Sequence, residues 1–342
     1  ASLMFTTLGL WLWLKATPER HPGRREHVHV GSWSVAGAQP LSLRYLAAGA
    51  ACIAANFGCR PTFALSALLC FPIFWPQITS LLQGLKSRSL PPRRALRAPA
   101  AVIIPALIVV LPLMAYNVAR FGSPLDFGND YQMTVTDMTR FVQPTANFLP
   151  SVGAYLFLPL RFTSEFPFIG MTPMAFREWG YYEPMAGGLF TACPLLLLAL
   201  AAPFLRRRMH RSGYWGLATC SLALAVLLAS FDSHTAGLGW RYICDFGWMM
   251  AIAALAPMLY LMHPGGDAIA AGAPDPSERN EPRRDVTKRH PMVLACVRGL
   301  VVAVLMASII LAVLACFIPG RDDSLINNNP VLYDTVVAWF RL

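Results

Sequence analysis

Two short stretches carry residue types and spacings suited to chemistry at a membrane surface. In residues 116–134, YNVARFGSPLDFGNDYQMT, Asn117 and Arg120 stand one helical turn apart, and Asp126, Asp130 and Tyr131 follow a Gly-Ser-Pro stop. In residues 240–250, WRYICDFGWMM, Arg241 and Asp245 are spaced i and i+4. A guanidinium presents a rigid fork of donors that matches a phosphate, and a carboxylate can act as a base, hold a divalent cation or accept from sugar hydroxyls. Plainer roles fit the same spacings. Arg120 can anchor lipid headgroups or join an ion pair. Arg241 and Asp245 can pair along one helix face. Asp126 can cap the turn after Pro124, and Asn117 can be a helix-packing hydrogen bond. At this level both sets of roles stand.

Other clusters are less promising. The eight cysteines lie within or at the ends of apolar runs, with no CxxC pair and no histidine at metal spacing. They read as small packing residues rather than a zinc site or disulfide framework, and no metal site is assigned. The histidines of HPGRREHVH, residues 21–29, lack a supporting ligand pattern and read as loop residues.

The elements that must position these residues are membrane helices. Of 342 residues 56% are hydrophobic and only 13% charged, where a soluble domain carries about a quarter charged. Apolar runs approaching the ~20 residues needed for a bilayer span recur along the chain. Residues 2–14 are a shorter run, read as the tail of a helix that begins upstream. Residues 41–58, 62–85, 99–119, 186–205, 212–231, 242–263 and 292–318 read as spans, with Cys59-Arg60-Pro61 interrupting the first pair. The fold class expected is all-α: a polytopic transmembrane bundle of about seven full spans plus the N-terminal partial helix. Residues 119–185 are expected to form an outward loop region with interfacial helices, because the apolar stretch 151–160 is too short to cross and aromatic residues surround it. Residues 264–291 are a Pro, Gly and charge-rich linker, and 319–342 a polar tail with a short helix at 331–340.

Orientation follows from charge. Loops 15–40, 86–97, 206–211 and 264–291, with Arg44 and Arg298 at helix ends, hold 20 of the 28 Lys and Arg residues. The positive-inside rule makes these loops cytoplasmic and places Arg120 and Arg241 outside. Eleven of the 18 acidic residues, Asp126, Asp130 and Asp245 among them, fall on the outer side. The net charge of +10 therefore reads as a topology signal; no aromatic interleaving or binding fold accompanies the basic loops, so nucleic acid is not an expected partner.

The string at 116–134, with DMTR at 137–140, resembles a segment common in bacterial polytopic proteins of the GT-C type, relatives of the polyprenyl- or dolichyl-phosphate-mannose-dependent mannosyltransferases. Residues 240–250 are similar to the opening of a late helix in those proteins, "RY, two residues, DF", and Arg60-Pro61 inside a helical pair is a weaker likeness. The matches span much of residues 41–262. The resemblance implies transfer of a sugar from a polyprenyl-phosphate carrier to a cell-envelope glycan or lipid acceptor on the outer face of the cell membrane. It implies carrier or substrate binding by Asn117, Arg120, Tyr131, Arg241 and Asp245. The principal catalytic Asp of such proteins lies in a first outward loop, for which this chain has no counterpart, so it is expected upstream of Ala1. Within the chain Asp126 and Asp130 are the candidate carboxylates, and a divalent cation is the one cofactor left open. The competing expectation is a non-catalytic polytopic protein, either a lipid-linked-glycan transporter or an assembly partner. That class calls for paired broken helices or an internal repeat.

Overall fold

The computed structural model describes residues 1–17, 32–33, 41–128, 131, 142–176, 178–205, 214–262, 291–320 and 324–340. Helix dominates, and the strands are two short antiparallel ribbons, β1 (Ser32–Trp33) with β2 (Leu41–Ser42) and β3 (Arg161–Phe162) with β4 (Ile169–Gly170). The all-α expectation holds. The chain divides into two compact units, Ala1–Phe141 and Val142–Leu342, and the boundary falls inside the expected outward loop region.

In the first unit, α1 (Ser2–Ala16) packs against α2 (Leu43–Cys59). Small residues bring the two backbones together, since a Cβ on Gly9 would come within 2.6 Å of Ile53, and one on Gly49 would strike the Trp13 ring. The buried Trp13 indole donates to the Leu46 carbonyl at 3.1 Å, and Asn56 Nδ2 donates to Thr6 Oγ1 at 3.0 Å. At Cys59-Arg60-Pro61 the helix stops as expected, with Arg60 extended and Pro61 opening a 3-10 segment to Leu69. The return is not one straight span. Helix α3 (Cys70–Ile73) ends at Phe74, and α4 (Trp75–Lys86) departs at 64° to the Pro61–Ile73 segment. Pro72 and Pro76 have no N–H to give the Leu68 and Pro72 carbonyls, so the ladder is thinned on both sides of Phe74, where the chain bends. After the four-residue α5 (Pro92–Ala95), α6 (Arg97–Phe121) runs 25 residues despite Pro105 and Pro112. It stops at Gly122, which is left-handed (φ +80°) and donates to the Val118 carbonyl at 2.9 Å.

In the second unit, α7 (Phe148–Phe157) is ten residues long, too short to cross a bilayer. The run 186–205 departs from expectation. It forms α8 (Leu189–Ala192), a non-helical Cys193, and a 3-10 segment Pro194–Ala201. Helix α9 (Tyr214–Thr235) and α10 (Ile243–Met262) form a hairpin. Ala218, Ser221, Ala225, Leu228 and Ala229 are buried on α9, and Phe246, Met249, Met250 and Ala253 on α10. Helix α11 (Pro291–Ala315) contributes Ser308, whose hydroxyl accepts the Leu195 N–H at 3.0 Å, a donor left over by the interrupted run. The tail carries α12 (Leu325–Asn328) and α13 (Pro330–Phe340), close to the helix expected there.

Among the described residues, four helices are long and apolar enough to cross a membrane: Arg97–Phe121, Trp215–Thr235, Trp240–Met262 and Ala295–Ala315. Counting the bent pair as one span gives five. That is the architecture of an integral membrane protein, with fewer uninterrupted spans than the seven expected. The shortfall lies in α2, which has 17 residues, in the bent pair, and in the broken 186–205 run. The linker at 264–291 falls almost wholly outside the described residues.

Candidate functional site

The candidate residues fall in both units. At the end of α6, Asn117 is buried and its Nδ2 donates to the Pro124 carbonyl at 3.3 Å, closing the chain back on the helix it has left. The helix-packing role therefore becomes a capping one. Arg120, in the same turn, is exposed and does not share that environment. Its Nη1 donates to the Tyr116 hydroxyl at 3.0 Å, and its guanidinium lies 5.9 Å from the Tyr116 ring centroid and 5.1 Å from that of Phe121. Among the described residues Arg120 has no carboxylate partner. Such a guanidinium, backed by aromatic rings at the end of an apolar helix, suits an anion at headgroup depth.

The loop beyond is built on turn chemistry. Asp126 Oδ1 accepts the Gly128 N–H at 2.7 Å, and Gly128 is left-handed (φ +78°) and lies under Phe121, where a Cβ would come within 2.6 Å of the ring. This is the capping role weighed for Asp126. Tyr131 stacks on Phe121, centroids 5.4 Å apart and planes at 26°, and is largely exposed. Asp130 lies outside the described residues, as do Asp137 and Arg140.

In the second unit, the Arg241 ion pair is formed with Glu183, Nε to Oε1 at 3.4 Å, while Asp245 is buried one turn into α10. Arg241 Nη2 also donates to the hydroxyls of Tyr181 at 3.2 Å and Tyr242 at 3.4 Å, and the guanidinium lies 5.2 Å from the Tyr242 ring centroid. Tyr181 in turn donates to Glu183 Oε1. Burial and that carboxylate push the Tyr181 phenol up to about 12, so it remains a donor at neutral pH.

Backbone pairing holds this cluster in place. Leu238 N–H donates to the Tyr181 carbonyl at 3.1 Å and Glu183 N–H to the Leu238 carbonyl at 2.8 Å, fastening segment 181–183 to the α9–α10 turn. The buried Tyr155 hydroxyl braces the same turn, donating to the Gly237 carbonyl and accepting the Gly239 N–H, both at 2.9 Å. Its burial pushes the phenol far up, which keeps it protonated. Gln143 Oε1 accepts the Tyr181 N–H at 3.2 Å. Gly237 is left-handed (φ +86°), and a Cβ there would collide with the Tyr181 carbonyl.

Glu183, Tyr181 and Tyr155 carry no motif and were not singled out by sequence. The available signal was a YYE string, residues 181–183, in the same aromatic-rich region as other belt residues. For a divalent cation, no three His, Cys, Asp or Glu side chains come together among the described residues, and Asp126 spends one oxygen on its turn. The described residues do not make a ready ligand set. Comparison with protein-family models, curated proteins and solved structures gives no match.

Proposed function

We propose that this chain is an integral membrane glycosyltransferase-like protein that handles a sugar on a polyprenyl-phosphate carrier and passes it to a cell-envelope glycan or lipid acceptor, with its basic loops cytoplasmic and its sites on the outer face. The observation that carries this reading is Arg120: an exposed guanidinium resting on Tyr116 and Phe121 at the end of a 25-residue apolar helix. The phosphate of a polyprenyl chain lies at that depth, because its hydrocarbon stays in the bilayer. Two charge-assisted hydrogen bonds from one fork, about 1.5–3 kcal/mol each, would hold it. Asp126 supports the loop rather than the chemistry, which leaves Asp130 as the in-chain candidate carboxylate.

The test is carrier binding by the full chain in nanodiscs. Arg120→Ala is expected to weaken affinity for a short polyprenyl phosphate by about tenfold or more, and Arg120→Lys to recover only part of it, since lysine keeps the charge and loses the fork. Unchanged affinity in Arg120→Ala would return Arg120 to a headgroup anchor.

A second reading, a lipid-linked-glycan transporter, is favoured by one observation: each unit carries an interrupted apolar segment, Pro61–Ile73 with Trp75–Lys86 in one and Leu189–Ala192 with Pro194–Ala201 in the other. Purified protein that moves a labelled lipid-linked sugar between leaflets without transferring it would select this reading over the first.

A further inference from the structure

We propose that Glu183, Arg241, Tyr181 and Tyr242 form a subsite for a neutral hexopyranose, with Glu183 and Arg241 each taking a hydroxyl of the ring. It rests on the reading that the protein handles lipid-linked glycans only for the origin of the sugar. The charges of Arg241 and Glu183 cancel within their 3.4 Å pair, so a phosphate arriving here meets a carboxylate beside the guanidinium and gains little. A polyol has no such conflict. Sugar hydroxyls each donate and accept, so a pyranose can use a free acceptor and a free donor at once.

The pair has both to spare. Glu183 Oε1 is taken by Arg241 and Tyr181, yet Oε2 accepts nothing among the described residues. Arg241 spends Nε on Glu183 and Nη2 on the two tyrosines, yet Nη1 donates to nothing among them. Both side chains are open to the outside, Arg241 at 61% and Glu183 at 30% exposure. The groups are also preorganised, because segment 181–183 is fastened to the Leu238 backbone and the turn is braced by Tyr155. Trp179, two residues before Tyr181 in the chain, is 76% exposed, an aromatic ring of the kind that takes the C–H side of a sugar. The subsite stands at the start of the Trp240–Met262 span, where a sugar tethered to a lipid is presented.

The probes are methyl α-mannopyranoside, methyl β-glucopyranoside and methyl β-galactopyranoside, with inorganic phosphate as competitor, observed by saturation-transfer NMR on the full chain in nanodiscs. At least one pyranoside is expected to bind, Glu183→Gln to weaken it by about tenfold, the scale of one lost charge-assisted hydrogen bond, and phosphate at equal concentration to displace none of it. No binding by any of the three, binding indifferent to Glu183→Gln, or displacement by phosphate would overturn the subsite. Glu183→Gln keeps the side-chain shape; if its thermal unfolding departs from wild type, Arg241→Gln replaces it under the same criteria. Farnesyl-phosphate-linked mannose competing through Glu183 identifies the carrier's sugar as occupant, whereas competition by mannobiose alone identifies the acceptor glycan. Pyranoside binding through Glu183 alongside unchanged carrier affinity in Arg120→Ala would sink the carrier reading and keep this one. Carrier binding through Arg120 without pyranoside binding would do the reverse.

Discussion

Tyr181 joins a backbone zipper to a charged cluster, and its titration reports on both. Its phenol is raised from 10.0 to about 12 by burial and the Glu183 carboxylate. A raised folded-state value means that the contribution of this hydroxyl is fully present below the ordinary tyrosine value and is lost as pH rises through about 12. Tyrosinate absorbance of wild type minus Tyr181→Phe should therefore show one late step near 12 instead of one near 10; a step at the ordinary value would mean that Tyr181 is neither buried nor in contact with Glu183. The glycines nearby separate strain from propensity. Gly237→Ala places a Cβ against the Tyr181 carbonyl at φ +86° and should cost about 1–3 kcal/mol in thermal unfolding. Gly153→Ala, in α7 with nothing within 4 Å, should be neutral or gain up to about 1 kcal/mol. At this scale the sequence revealed local chemistry better than distant pairing. The turn role of Asp126 follows from its neighbours Pro124 and Gly128. The partner of Arg241 did not, because the tyrosine and glutamate that meet it lie about 60 positions upstream and long-range contacts, the backbone pairing with Leu238 among them, bring them there.

Among the elements, those set by uninterrupted apolar composition were legible: α6, α9, α10 and α11, and the stop at Gly122. The interruptions were half legible. Cys59-Arg60-Pro61 announced one break, and the prolines at 72 and 76 were present to announce the next. The 186–205 run reads as a plain span because leucine has no period to lose. Its geometry is decided by tertiary contact, with Gly188 N–H donating to the Leu158 carbonyl at 2.8 Å and a Cβ on Gly188 lying only 2.6 Å from Phe157 N. The α1–α2 pair is the sharpest test of packing at this scale. A methyl at Gly49 would lie 2.7 Å from Trp13 Nε1 and 2.9 Å from the Gly9 carbonyl, and neither backbone can give way without separating the helices. Gly49→Ala should destabilise by about 1–3 kcal/mol, read as a lower thermal midpoint in detergent, while Gly58→Ala, which meets only the Leu113 side chain at 3.0 Å, should cost less. Equal losses would show that the close approach of α1 and α2 is not what holds them.

For the whole molecule the open quantity is how often the chain crosses. Charge argues for an odd number of crossings between Leu125 and Arg207, since Arg206 to Arg208 and Arg211 form one of the basic loops assigned to the cytoplasm. The intervening elements do not make that crossing obvious. Helix α7 has only ten residues, and the 186–205 run is split at Cys193 and Pro194 between α8 and a 3-10 segment. A 3-10 segment rises about 2.0 Å per residue against 1.5 Å in an α-helix, so a broken run of this length can still traverse a hydrocarbon core of about 30 Å. The alternative is a re-entrant segment that returns to the outer face. Single cysteines at Leu125, 65% exposed in the turn after α6, and at Arg207 decide between the two, in a background where the eight native cysteines, all free thiols, are replaced. An impermeant maleimide should label Leu125→Cys in intact cells, and Arg207→Cys only after permeabilisation. Labelling of both from outside would make the run re-entrant and put Arg241, one α9 crossing further on, on the opposite face from the Tyr181 and Glu183 it bonds, which would overturn the Arg241 cluster and the sugar subsite with it.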